Sequence, residues 1–378
     1  MTTRQARRMQ WICFVTMALN GLYATSGSLV MPLLRAQYSL SYDMGGMLLS
    51  ALNFGNLLTS FVCGVLAGRI GRKPAILLLT AGSYLGYLVL SFTGMPILML
   101  VCFFAVGVSK GAVYNMDNTI VPECSENKTH SVNILHACFA IGSLLCAPLA
   151  AVCCTRSLLC LTLAAVCIVL PLLYIMSPLS SRLAMTSVQK GGWRFLRRKS
   201  FWVSGLLIFF EISAETAVSG WIVSYFQDSN IMSRAMAQMM LSLNWILMMA
   251  GRLLVAFVPL KVNPRKLVLG LAVGTGASYA VMLIVRAPVS AVLGLCGFAL
   301  CVAPVQPTVL ANLAPEDGTS RALSVLLPIG SAGGIFMPAV TGCVASATGI
   351  WGGMAVIAVA CVALMICAFL NMRTILFS

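Results

Sequence analysis

Twelve apolar segments follow one another along this chain: Trp11 to Leu34, Met44 to Ala67, Pro74 to Phe92, Pro96 to Val121, Val132 to Cys154, Ser157 to Met176, Phe201 to Phe226, Ala235 to Val258, Leu267 to Val285, Val289 to Leu313, Ala322 to Ala345 and Ile350 to Met372. Each is long enough to cross a bilayer as a helix, which takes about 20 residues. Hydrocarbon offers no water to the backbone, so a spanning segment must be a helix or part of a closed barrel. Barrel strands are shorter and alternate apolar with polar residues, a pattern absent here. At 60% hydrophobic and 9% charged over 378 residues, the chain carries more apolar surface than a soluble domain can hide. The expected fold is an all-α membrane protein with twelve transmembrane helices in two pseudo-symmetric six-helix bundles. Residues 1–176 are read as the first bundle, 177–200 as a cytoplasmic linker and 201–378 as the second bundle.

A repeat supports the two halves. The stretch from Lys110 to Pro148 is echoed later by QPTVLANLAPEDGTSRALSVLLPIGSAGGIFMP: Pro122-Glu123 matches Pro315-Glu316, and Ile141-Gly142-Ser143 matches Ile329-Gly330-Ser331. In both copies the Pro-Glu pair reads as a loop after an apolar helix. Duplicated bundles with polar residues near mid-depth are a common transporter design.

Position explains the formal charge of +15. Basic residues gather in alternate loops, at Arg4, Arg7 and Arg8, at Arg69, Arg72 and Lys73, from Arg182 to Lys199, and at Lys261, Arg265 and Lys266; the other loops hold little beyond Arg35, Arg156, Arg234 and Arg286. By the positive-inside rule both termini are cytoplasmic, and the charge is a topology signal that excludes nucleic-acid binding. The basic start before the first span reads as an uncleaved first helix. Most of the fifteen cysteines fall within spans, where cysteine packs as a small hydrophobe. No Cys/His metal spacing or nucleophile-base pair appears, so neither a cofactor nor an enzyme is expected. The linker, with Arg194, Arg197, Arg198 and Lys199 around Trp193 and Phe195, is expected to lie at the anionic inner leaflet.

Polar residues inside spans are the candidates for function. Lys110, Tyr114, Asp117 and Val121 share one face of the fourth span. A charge there needs protein or water around it, so Asp117 is a proton-coupling candidate and Lys110 a cavity charge, with structural ion pairing as the alternative. Asn133 and His136 open the fifth span one turn apart, and Cys124 to Ser131 reads as the loop before it. In the seventh span Glu211 and Glu215 lie one turn apart; they repel if both ionise, so at least one is expected to hold a proton near neutral pH, as proton coupling requires. The alternative is a pair with a cation such as Lys110. Asn20 and Asn244 read as interhelical hydrogen bonders. Pro304 and Pro307 must break the tenth span, leaving Gln306 as either a cavity residue or part of a packed kink.

Gly64-Val65-Leu66-Ala67-Gly68-Arg69-Ile70-Gly71-Arg72-Lys73 joins the second and third spans, and there the chain resembles the major facilitator superfamily, whose signature is G-x-L-a-D-r-x-G-r-k. The matching residues are Gly64, Leu66, Arg69, Gly71, Arg72 and Lys73. The family uses this segment as a cytoplasmic latch between halves, and Gly68 stands where its aspartate belongs. Shorter motifs resemble the fucose-permease-like sugar:proton symporters: Asn118 through Glu123, Asn133 to His136, Glu215-x5-Trp221 with Tyr225, Gly251-Arg252-Leu253, and Ala303-Pro304-x2-Pro307-Thr308.

That resemblance implies alternating access and inward transport of a monosaccharide, or a similar small polar solute, with a proton. By that resemblance His136 falls where the family has a sugar-bonding polar side chain, and Glu215 matches a frequent seventh-span glutamate. From their own chemistry Tyr114, Trp221 and Trp245 offer rings to a sugar face, and Asn118, Asn133, His136 and Gln306 offer hydrogen bonds, in a monomer expected in the cell membrane. The family's first-span and fourth-span acidic positions are Ser28 and Tyr114 here, so coupling must rest on Asp117, Glu211 or Glu215, or be absent. Proton-coupled efflux of drug-like compounds and a transport-dead sensor remain alternatives on the same scaffold.

Overall fold

The computed structural model describes residues 3–126, 128–153, 155–179, 194–257, 262–313 and 320–373. Its helices are α1 (Thr3–Thr25), α2 (Gly27–Tyr38), α3 (Tyr42–Ile70), α4 (Arg72–Leu90), α5 (Pro96–Glu123), α6 (Lys128–Val152), α7 (Arg156–Met176), α8 (Lys199–Asp228), α9 (Arg234–Phe257), α10 (Pro264–Ile284), α11 (Pro288–Val302), α12 (Val305–Ala311), α13 (Ser320–Thr348) and α14 (Ile350–Arg373), with one 3-10 turn at Arg194–Arg197. Among the described residues there is no strand, and twelve helical stretches are long and apolar enough to span a bilayer. The twelve-span all-α architecture expected from hydropathy is therefore present.

By contacts the chain forms two compact units, one of Met1–Leu40 with Met47–Thr186, the other of Ser41–Gly46 with Ser187–Ser378. In the first unit α1 packs along α6 and α5, and α4 along α5 and α7. The second unit repeats the pattern, with α8 along α13 and α10 along α11 and α14. The α1–α6 contact is close because both helices offer glycine: a Cβ at Gly21 would strike the Phe139 carbonyl, and one at Gly142 the Ala18 carbonyl. Ser143 Oγ then donates to the Gly21 carbonyl at 3.2 Å. In the second unit a Cβ at Gly333 of α13 would strike the Phe209 carbonyl of α8, while the motif glycine Gly330 faces the Ile208 side chain. The repeated Ile-Gly-Ser motif thus lies on α6 and α13, which pack along α1 and α8; the second Pro-Glu pair, Pro315-Glu316, lies outside the described residues.

Several boundaries differ from the sequence reading. The first span is two helices meeting at Ser26, and α2 runs to Tyr38, so Arg35 is helical rather than in a loop. The break is held by hydroxyls: Ser26 Oγ and Tyr87 Oη both donate to the Tyr23 carbonyl at 2.7 Å, and Tyr23 Oη meets Ser109 Oγ at 3.1 Å. Pro122 and Glu123 form the last turn of α5 rather than a loop, since the amide of Cys124 still reaches the Ile120 carbonyl at 3.1 Å. The loop after α5 is shorter than Cys124 to Ser131 because α6 begins at Lys128. Between α3 and α4 the one non-helical residue is Gly71, at φ 95°, a conformation that suits glycine.

The tenth span breaks between α11 and α12 as its prolines require. Pro307 falls in the first turn of α12, where a missing N–H is tolerated. Of the linker, residues 180–193 lie outside the described residues, as does Lys261. Its end is part of the second unit: Phe195 is buried and stacks on Phe201 with ring centroids 4.9 Å apart, and α8 starts at Lys199.

Candidate functional site

The second unit carries the strongest cluster of ionisable groups. Glu211 lies near the middle of the 30-residue α8 and is fully buried, with neither carboxylate oxygen hydrogen-bonded among the described residues. One turn on, Glu215 Oε2 meets Arg252 Nη2 of α9 at 3.4 Å. The cation is therefore Arg252 of the same unit, where the sequence reading offered Lys110.

Arg252 is aimed by the backbone around it. A Cβ at Gly251 would strike the Leu300 carbonyl, so α9 and α11 approach closely there. Ala303 is the residue whose carbonyl would normally receive the amide of Pro307, four residues on, and proline has none. Arg252 Nε–H donates to that carbonyl at 3.2 Å. The helix break expected from Pro304 and Pro307 thus supplies the acceptor that orients the guanidinium. Gln306, half-buried beside the break, makes no hydrogen bond among the described residues. The sequence reading quoted Arg252 and Ala303 only as motif residues, yet their pairing carried a signal: a lone arginine inside WILMMAGRLLV, and a carbonyl four residues before a proline.

Trp221 is fully buried, its Nε1–H donates to the Pro338 carbonyl at 3.1 Å, and its ring lies 6.0 Å from that of Tyr42. Asn244 is an interhelical hydrogen bonder as expected, with Nδ2 3.2 Å from Ser219 Oγ.

In the first unit the shared face of α5 divides. Asp117 is fully buried and accepts hydrogen bonds from Thr16 Oγ1 at 2.7 Å and Tyr174 Oη at 2.8 Å. Six residues before Glu123, it lies about 9 Å from the helix end at 1.5 Å per residue. Its partners come from α1 and α7 of the same unit. Lys110 is half-buried, and its carbonyl accepts Asn20 Nδ2–H at 3.2 Å, the interhelical bond expected of Asn20.

Tyr114 turns the other way, to α6. Its ring centroid lies 5.7 Å from His136 and 6.4 Å from Phe139. Both Tyr114 and His136 are exposed. Asn118 Nδ2 donates to the Tyr114 carbonyl at 2.7 Å, which occupies one of its donors. The side chain of Asn133 lies outside the described residues. Of the expected set, Tyr114 and His136 lie together, with Phe139 beside them.

The loop motif also finds its partners within the first unit. Arg72 Nη1 and Nη2 meet the two carboxylate oxygens of Glu123 at 2.5 and 2.8 Å. Lys73 Nζ donates to the Ile175 and Ser177 carbonyls at 2.6 and 3.1 Å. Arg69 is exposed, and Gly64 and Gly68 have open space where a side chain would begin. The carboxylate that Arg72 meets is thus Glu123, on α5.

Comparison with known proteins agrees with this architecture. No curated protein sequence matches the chain. Among solved structures it is similar to a bacterial homologue of the human lysosomal transporter Spinster, with a TM-score of 0.80 at 15% identity, covering 100% of this chain and 98% of that one. It is also similar to the nucleoside transporter NupG, with a TM-score of 0.74 at 14% identity, covering 100% of both chains. At these identities the likeness speaks for the fold alone. The sequence model of the Major Facilitator Superfamily matches residues 13–306. With twelve spans, two units of matching internal pattern and ionisable groups buried within them, the chain belongs to the Major Facilitator Superfamily of secondary transporters.

Proposed function

We propose that this transporter carries a small polyhydroxyl solute, of monosaccharide size, inward with a proton. The observation that carries this reading is the Glu211–Glu215–Arg252 cluster. Glu211 is buried with no hydrogen-bond donor among the described residues, and Glu215 lies 3.4 Å from the Arg252 guanidinium. If the Glu215–Arg252 contact opens, two carboxylates one turn apart are left in apolar surroundings, and the pair must take up a proton. When the contact re-forms, the proton leaves. Such a device links one proton to each cycle of alternating access.

The solute class rests on the exposed Tyr114–His136 contact, which pairs a ring with hydrogen-bonding groups, the chemistry that suits a sugar. The chain acts as a monomer of the cell membrane with both termini in the cytoplasm.

The test is external pH in a lightly buffered, de-energised suspension of cells expressing the protein, during addition of hexoses, pentoses, polyols and their acids. Alkalinisation with one class, absent in Glu215→Gln, is the expected result. Expulsion of lipophilic compounds with no alkalinisation for any solute would replace this reading with proton-coupled efflux.

A further inference from the structure

Arginines near or within the spans are used in different ways. Arg72 is buried and gives both terminal nitrogens to Glu123. Arg156 is buried and gives its terminal nitrogens to the carbonyls of Leu90, Ser91 and Thr93, capping the end of α4. In both, the two terminal nitrogens are taken up within the fold.

Arg252 differs. Its Nε is fixed on Ala303, its Nη2 makes one contact near the outer limit of a hydrogen bond, and its Nη1 makes none among the described residues. Its side chain is 44% exposed, against 10% for Arg72. A guanidinium does not turn that much surface to hydrocarbon, so the exposed edge faces water. The bond to Ala303 holds the planar fork in place while leaving its two terminal nitrogens toward that water. A pre-oriented fork with one weak partner fits an incoming carboxylate, which both nitrogens can bind at once.

We propose that the transported solute is an acid, a small polyhydroxyl carboxylate such as a hexuronate or hexonate, and that Arg252 binds its carboxylate in exchange for Glu215. This rests on the proton-coupled reading above and names its substrate class. The steps balance. The solute carboxylate takes the two N–H groups of Arg252; Glu215 Oε2 leaves Nη2 and accepts one proton from the outer solution. On the inner side the solute departs, Glu215 loses that proton to the cytoplasm, and its contact with Arg252 re-forms. One monoanion and one proton move together, so no net charge crosses.

The experiment uses the full chain in proteoliposomes, with the outside acid and the membrane potential clamped by potassium and valinomycin. Labelled glucuronate and gluconate are compared with glucose. The acids are expected to enter at least about tenfold faster than glucose, the span of one good charge-assisted contact, at a rate set by the pH gradient and unchanged by imposed potential. Arg252→Lys keeps the charge but loses the fork and is expected to reduce acid uptake about tenfold. Its unfolding midpoint is measured alongside, and competition between unlabelled gluconate and labelled solute on the unmodified chain provides the readout if that variant does not fold. Proton-linked glucose entry that gluconate does not inhibit would overturn this inference and leave proton coupling standing. Acid uptake that speeds up or slows with potential, or that Arg252→Lys leaves unchanged, would overturn the exchange at Arg252. Uptake of neither acid nor glucose by folded protein would overturn both readings.

Discussion

Arg72 and Glu123 form a two-bond pair at 2.5 and 2.8 Å, and this joins the first turn of α4 to the last turn of α5. The arginine is nearly enclosed while the carboxylate is half open to solvent, with side-chain exposures of 10% and 49%. Removing the acid leaves a largely buried cation with no counter-charge. Glu123→Gln is expected to cost about 1–3 kcal/mol, less than a fully buried pair because water reaches the carboxylate. Thermal unfolding in detergent measures it, and the charge-swapped pair Arg72→Glu with Glu123→Arg should recover part of the loss.

Asp117 provides the contrast that separates packing from coupling. Its two hydroxyl partners, Thr16 and Tyr174, come from α1 and α7 of the same unit. Asp117→Ala leaves both hydroxyls without an acceptor and is expected to destabilise the protein by about 1–3 kcal/mol. Asp117→Asn keeps a carbonyl acceptor and should retain proton-linked uptake near the unmodified level. Loss of the proton linkage in a stably folded Asn variant would place Asp117 in the coupling machinery after all.

The α1–α6 contact predicts a sharp dependence on size. Gly142→Ala puts a methyl group against the Ala18 carbonyl and should lower stability by about 1–3 kcal/mol, an overpacking cost. Gly68→Ala meets nothing within 4 Å and should be neutral or slightly stabilising, since alanine favours the helix that Gly68 already occupies. Unfolding midpoints of the two variants give the comparison directly.

Trp221→Phe removes the hydrogen bond to the Pro338 carbonyl and part of the ring that meets Tyr42. The expected cost is about 1–3 kcal/mol in stability, from the lost bond and the space the smaller ring leaves. The apparent affinity for the solute should be unchanged. A large rise in KM with an unaltered unfolding midpoint would instead put Trp221 in contact with the solute.

How far the sequence could be read depended on whether a feature is local. Spans follow from composition, and the break before α12 follows from Pro304, because these depend only on residues next to each other. Asn20 and Asn244 were legible as interhelical bonders because a lone amide in a span has few other uses. The surroundings of Asp117 were not, since its partners lie 101 and 57 residues away in sequence. Helical spacing puts Tyr114 and Asp117 on one face, yet packing sends one ring toward α6 and the carboxylate toward α1 and α7. Arg252 shows the same limit: its place in a span was visible, but its acceptor is created by a proline on another helix.

The break at Ser26 has a consequence for how parts of this protein could be exchanged. Tyr87 from α4 donates to the Tyr23 carbonyl there, while the Tyr23 hydroxyl reaches Ser109 of α5. A chimaera that imported the first span from a relative would bring a helix and leave behind the hydroxyls it is bonded to. The inheritable module is the first span together with α4 and α5, and grafts that respect that grouping are the ones expected to keep those bonds.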